Sequence, residues 1–405
     1  DPSGPYGDYI ERALFNHILA SQNPETGMVC YYLPLKPGEF KTYSTPEDSF
    51  WCCVGTGIEN HAKYGESIYY RDEDGLYVNL FIASTLEWPE RGLALEQSTL
   101  FPKEQGTTLT LRLERPQEMA LRVRRPAWVA EGFGLDVNGQ AADVADDGNG
   151  FVTLRRHWQD GDTVRVTLPM CLRTEATPDN PDRVALLYGP VVLAGELGPE
   201  DDPRAVDPDY VPALVVGERE LSDWLRPADE GSLVFTLVGA GRPRDVILRP
   251  FYMTHGSRYT VYWDRFSPAQ WEEQRAQYRE EARQRRAIEA FTVDRMRPGE
   301  MQDERDHNVE GEQTGVGEHL GRKFRHAFGG GWFSFDMAVD PAEAVDLVCT
   351  YWGSDVGDRT FDILVDGVAI ATQTLSRDAP DSFFEVTYPI PDALTAGTER
   401  IKITF

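Results

Sequence analysis

The spacing of apolar residues divides this chain into a short helical opening and a long β-patterned remainder. Over residues 9–21, Ile10, Ala13, Leu14, His17, Ile18 and Ala20 share one helical face, which predicts an amphipathic helix. Asn23, Pro24 and Gly27 then mark a turn, residues 28–34 an extended piece rich in aromatics, and Pro37, Gly38 and Pro46 a polar loop. A second helix is predicted over residues 57–70. There Ile58, Ala62, Gly65, Ile68 and Tyr69 recur at helical spacing, and Thr56 with Glu59 has the form of a capping box. Two such helices cannot bury their apolar faces alone, so they predict a larger helical assembly.

At Leu76 the period drops to two. Leu76, Val78, Leu80 and Ile82 alternate with Tyr77, Asn79 and Phe81. Leu109, Leu111 and Leu113 alternate with Thr110 and Arg112, and Leu121 and Val123 with Arg122 and Arg124, the pattern of half-buried strands. Asn138-Gly139 is a hairpin signal, and residues 151–154 and 164–168 supply further strands of an antiparallel sandwich. Residues 184–188 and 191–194, split by Gly189-Pro190, predict buried strands at its border. Weaker alternation over 233–238, 246–251 and 259–263 predicts a small β module. Residues 268–289, dense in Glu, Gln and Arg, predict an exposed linking helix whose charges form a solvated face. Segments 332–335, 345–348, 361–365, 384–387 and 401–405, with the turn Asp366-Gly367, predict a second sandwich of the kind carbohydrate-binding modules use. The expected divisions are residues 1–74, 75–200, 201–266, 267–290 and 291–405. The sequence stops within a strand pattern and reads as cut at both ends.

Composition narrows the partners. With 41% hydrophobic and 11% aromatic residues the chain has globular composition, and no apolar run is long enough to cross a bilayer, so no membrane partner is expected. A formal net charge of −27 leaves no excess of Lys and Arg to neutralise phosphates, which argues against nucleic acid and for a neutral or cationic partner. The five cysteines, Cys30, Cys52, Cys53, Cys171 and Cys349, are odd in number and scattered, which argues against a disulfide framework. Residues 1–5 lack the basic start and apolar core of a signal peptide, and the compartment stays open. No HExxH, GxSxG, Walker or strand-flanked GxGxxG pattern supports proteolysis, esterase chemistry or nucleotide binding.

The chemistry concentrates at Cys52 and Cys53, placed just before the second helix. That helix end carries partial positive charge and free N–H groups, which favour the thiolate, the form that attacks carbon or binds metal. Phe50 and Trp51 supply an apolar wall, and Gly55 and Gly57 permit close approach. A pair of buried structural cysteines explains the same residues equally well. Two soft ligands suit Zn, Cu(I) or an iron–sulfur cluster. Zinc wants four ligands, for which Cys30 and His61 are candidates with ordinary packing explanations of their own. A thiol redox protein is weaker, because the pair is vicinal rather than CxxC.

Residues 11–16 (Glu11-Arg12-Ala13-Leu14-Phe15-Asn16), residues 31–35 and above all residues 50–64, with Trp51-Cys52-Cys53-Val54-Gly55-Thr56-Gly57 at their heart, carry a resemblance. They resemble the zinc–cysteine β-L-arabinofuranosidases, glycoside hydrolase families 127 and 146, closest to the latter. The likeness extends through residues 75–82 and 187–190, the cysteine motif being highly specific and the β segments weakly so. The resemblance implies a multidomain, mainly β chain, in which the last helices of an (α/α)6 barrel precede antiparallel β-sandwich domains. It implies a retaining hydrolase releasing β-L-arabinofuranose or a similar sugar from an arabinose-containing glycan. Cys52 would be the nucleophile, Cys53 would share a zinc ion with it, and Glu11 and Tyr31 would contact the glycan. The family's Glu-x-Cys, which completes the zinc site, and its general acid/base lie upstream of the matched region. No Glu-x-Cys occurs here, so a separate N-terminal barrel fragment is an expected partner. Most retaining glycosidases use a carboxylate nucleophile, and a thiolate instead demands control of a very stable thioglycoside, which zinc would supply. The alternative is a non-catalytic carbohydrate-binding or assembly protein with structural cysteines, separable by zinc content and iodoacetamide reactivity of Cys52.

Overall fold

The computed structural model describes residues 2–47, 49, 51–201, 212–229, 231–355 and 359–405, so Phe50 of the cysteine motif and residues 202–211 of the expected small module lie outside the described residues. The chain divides into two compact units, Asp1–Arg286 and Ala287–Phe405.

The first unit opens with a longer helix than the spacing predicts. It runs Gly4–Ala13 as α-helix, Leu14–Ile18 as a π-helical turn and Leu19–Ser21 as a last α turn. Pro5 occupies the first turn, where its missing N–H has no helical partner to lose, and the Gly7 N–H donates to Ser3 O at 3.0 Å. The widened turn carries Asn16, whose Nδ2 donates to Pro190 O at 2.8 Å while its Oδ1 accepts the Val192 N–H at 2.8 Å. One side chain thus ties the helix to a distant β turn. Among the described residues this helix and Cys52–His61 are the α-helices of the first 75 positions, and they do not by themselves make a barrel.

The alternating segments form two packed sheets. Strands Tyr69–Arg71, Gly75–Val78, Gln117–Arg124, Phe151–Trp158 and Ala145–Asp146 lie side by side in one. Ser84–Trp88, Leu93–Ser98, Gly106–Leu113, Thr163–Thr167, Gly134–Val137 and Gln140–Ala141 make the other. Leu76, Leu95, Leu109, Leu121, Val152 and Val164 fill the space between them. The Asn138-Gly139 signal holds, both residues taking positive φ between paired strands. The sandwich is not wholly antiparallel, because Gly75–Val78 pairs parallel with Gln117–Arg124. The chain crosses to the second sheet between these two strands and returns in the same direction.

Residues 184–194 do not border this sandwich. Asn180–Tyr188 and Val191–Pro199 are central strands of a ten-stranded sheet whose other members reach Phe266. Their side chains are buried on both faces: Leu186 and Leu193 join Trp224, Phe235 and Trp263 on one side, and Leu187 and Ala194 join Ala20, Phe251 and Tyr259 on the other. A strand covered on both faces reads as a continuous apolar run, and a run does not reveal its sheet. The charged stretch is one helix, Pro268–Phe291, with mostly exposed described side chains.

In the second unit Glu310–His319, Arg322–Ala338, Arg400–Thr404, Arg359–Val365 and Val368–Leu375 form a five-stranded sheet, and Asp346–Trp352 pairs with Phe383–Pro389 in a two-stranded one. Phe335, Ile363, Val365, Tyr388, Ile401 and Ile403 make their shared core.

Candidate functional site

The cysteine helix begins earlier than its capping box predicts. It spans Cys52–His61 with Trp51, in extended conformation, as the residue before it. The Thr56 hydroxyl donates back to Cys52 O at 3.2 Å instead of capping a new helix start. Cys52 and Cys53 are therefore its first two residues. Val54, between the thiols and the glycines, is buried, and Gly57 lies against buried Val29, which leaves the cysteine side outward. Both thiols are exposed, so the reading as a buried structural pair does not hold. Their sulfurs are 3.8 Å apart.

Tyr31 comes to them from the extended aromatic piece. Its ring meets Trp51 edge-on at 5.8 Å, and its hydroxyl lies within hydrogen-bonding reach of both Cys53 and Cys52. Burial, then the two thiols, push that hydroxyl up to about 12, so it stays protonated, a donor, across the neutral range. Sequence proximity does not join Tyr31 to the cysteine pair; the bridge between Cys30 and Tyr43 closes the intervening loop.

Two sulfurs at this distance fit a shared metal. On a tetrahedral zinc with Zn–S bonds of about 2.3 Å, two thiolates sit roughly 3.8 Å apart. Among the described residues no three His, Cys, Asp or Glu side chains group to hold a metal, so neither Cys30 nor His61 joins the pair. Cys30 is buried, its thiol pushed up to about 12 by burial, near buried Lys41. His61 Nδ1 bonds the Tyr64 hydroxyl, and burial holds the imidazole below its usual range. Both are packing residues.

Glu11 is neither an exposed helix acid nor an open glycan contact. It is 2% exposed; Oε1 accepts from Arg124 Nη2 at 2.6 Å and Oε2 from Trp128 Nε1 at 2.6 Å. Burial raises its pKa despite these two donors, which act in the opposite sense. A sugar hydroxyl would have to displace a protein donor to reach it. Arg124, expected on the solvent face of its strand, is 0% exposed: its Nε donates to Asn79 O at 2.6 Å and its Nη1 to Asp8. The N-terminal helix covers that face. Gly7 makes the approach possible, since a Cβ there would stand 2.5 Å from Arg124 Cδ and 2.3 Å from Asn79 Oδ1. Alternation assigns Arg124 to a face but carries no sign that a helix from the chain start lies on it. An open polar cleft bordered by Ser84, Gln97 and Glu104 contains none of these residues.

Residues 1–66 match the family model described as the beta-L-arabinofuranosidase GH127 catalytic domain, and residues 75–170 its GH127 middle domain. Both matches are to models of GH127 beta-L-arabinofuranosidases. Residues 173–265 and 287–405 match two further families of unknown function. A non-reducing end beta-L-arabinofuranosidase of Bifidobacterium longum is 27% identical over 217 residues, 48% of this chain and 32% of that protein. Among solved structures, a GH127 beta-L-arabinofuranosidase from Geobacillus stearothermophilus T6 is similar with TM-score 0.50 and 21% identity, over 66% of this chain and 47% of that one. A second GH127 beta-arabinofuranosidase gives TM-score 0.52 and 22% identity over 65% of this chain and 46% of that one. These structural likenesses speak to the fold. The chain spans about a third of the curated relative and under half of each solved one. The GH127 boundary near residue 170 falls where the sandwich ends and the ten-stranded sheet begins.

Proposed function

We propose that this chain forms part of a retaining glycoside hydrolase of the family 127 and 146 type, closest to 146, that releases β-L-arabinofuranose or a similar sugar from an arabinose-containing glycan. The observation that supports it is a pair of exposed, adjacent thiols on the first turn of a helix, under one tyrosine hydroxyl, inside the GH127 catalytic-domain match. Cys52 is the nucleophile. Its sulfur attacks the anomeric carbon, the aglycone oxygen leaves with a proton from a general acid, and water then displaces the sulfur to give the retained sugar. Cys53 is the second sulfur of the metal pair. Cys52 and Cys53 would hold a zinc ion, which would keep both sulfurs as thiolates and stabilise the Cys52 thiolate as it leaves the sugar. Tyr31 donates its hydroxyl hydrogen to sulfur or to a sugar oxygen, and Trp51 fixes its ring. The acid/base, the remaining metal ligands and the rest of the helical barrel come from residues outside this sequence, as one polypeptide or a separate fragment. Glu11 holds the N-terminal helix, and a glycan contact from it requires Trp128 or Arg124 to yield.

Turnover of para-nitrophenyl β-L-arabinofuranoside by the complete protein tests the reading. Cys52→Ser is expected to abolish turnover with unfolding temperature unchanged, and metal analysis to find one zinc per chain. Unimpaired turnover in that variant would overturn the nucleophile. A metal-free pair inert to iodoacetamide would favour the non-catalytic binding protein.

A further inference from the structure

The C-terminal unit carries a row of aromatic rings with no part in the site above. Its strands Glu310–His319 and Arg322–Ala338 form a hairpin in which Gly315 faces His326, Gly317 faces Phe324 and His319 faces Arg322. Cross-strand partners share a face, and every second residue returns to it. The rings step along that face at 5.7 Å from Phe324 to His326 and 5.9 Å from His326 to Phe328. The glycines let two of them lie down. A Cβ on Gly317 would stand 2.5 Å from Phe324 Cζ, and one on Gly315 would stand 3.3 Å from His326 Nε2. Phe324 remains 40% exposed and Phe328 58%. The hairpin's other face is engaged, with Lys323 paired to Glu300 at 3.1 Å and Arg325 to Glu304 at 2.5 Å.

We propose that this ring row binds a neutral glycan chain. In a chain of net charge −27 the paired positions on this face hold no carboxylate, and the Arg322 guanidinium lies over the Phe383 ring at 4.8 Å. A cationic ligand therefore finds no complement at these paired positions. Flat apolar rings beside an imidazole suit the C–H face and hydroxyl rim of a sugar, since stacking removes that face from water while the edge stays hydrated. A second protein fits less well. Three part-exposed rings offer well under the roughly 800 Å² per partner of a stable interface. Laying rings over edge glycines also steadies a strand, but that accounts for Phe324 and His326 alone. Among the described residues no glycine outside Phe328's own chain neighbours has it among its near atoms. The proposal does not depend on which group attacks the sugar.

Affinity electrophoresis of the full chain in gels containing soluble arabinan, arabinoxylan, xyloglucan or galactomannan tests it. At least one neutral polysaccharide is expected to retard the chain. Phe328→Ala and Phe324→Ala should each weaken the apparent Kd about tenfold, and Cys52→Ala should leave it unchanged. The Phe328→Ala chain should unfold at the parent temperature, so that loss of binding there cannot be misfolding. Absence of retardation by all four, or retardation that survives both phenylalanine changes, would overturn the proposal. So would sedimentation showing a dimer that Phe328→Ala dissociates, which would give the row to a second copy of this chain.

Discussion

At the residue scale the cysteine pair and Tyr31 form one unit. The Tyr31 hydroxyl reaches both sulfurs, so a single atom's loss changes both. Tyr31→Phe in the complete protein should lower kcat for the para-nitrophenyl arabinoside about 10- to 100-fold, the scale of one hydrogen bond to a charged group, with unfolding temperature held. Equal kcat in the variant would remove Tyr31 from the chemistry. The sequence marked the cysteine pair through vicinal thiols beside Trp51 and two glycines, and the structure adds that both thiols are exposed on the first turn of the helix. The depth of Glu11 was not legible. Its partners Arg124 and Trp128 stand more than a hundred positions later, and no local periodicity reports a contact made across that interval.

At the element scale the N-terminal helix is held at two points by two different sheets. Arg124 joins it to the first sandwich through Glu11 and Asp8, and Asn16 joins it to the ten-stranded sheet through Pro190 and Val192. Arg124→Met leaves Glu11 without its buried cation and should cost about 3–5 kcal/mol, read as a lower urea midpoint at unchanged m. Adding Glu11→Gln should recover part of the loss; strict additivity of the two would show that the residues are not coupled. Helix and strand identity followed from apolar spacing, and the Asn138-Gly139 hairpin from turn chemistry. The sheet to which residues 184–194 belong did not follow, because strands buried on both faces lose the alternation that would orient them. The first helix was read short at its start, where Gly4, Pro5 and Gly7 break the apolar pattern while Pro5 and Gly7 serve the helix start and the close approach of Arg124.

At the scale of the whole molecule, stability should track the titration of buried groups outside the cysteine pair. Lys41 is buried against Phe251, donating to its carbonyl at 2.8 Å, and burial lowers its pKa from 10.5 to about 7. Above pH 7 the folded chain has released a proton that the unfolded chain still binds, so stability rises with pH. Burial of Cys30 works the other way above pH 9, where its unfolded thiol ionises and the folded one, at about 12, does not. The rise is therefore confined to about pH 7–9, with a slope of up to about 1.4 kcal/mol per pH unit. Denaturant unfolding at pH 7, 8 and 9 checks this, and Lys41→Met should flatten the profile. A slope that persists in the variant would assign it to other groups. The helix Pro268–Phe291 gives the architecture a practical property. With a solvated surface along most of its described residues and a separate core in the unit beyond it, it is a natural splice point at which the terminal module can be exchanged or grafted onto another chain without redesigning either hydrophobic interior.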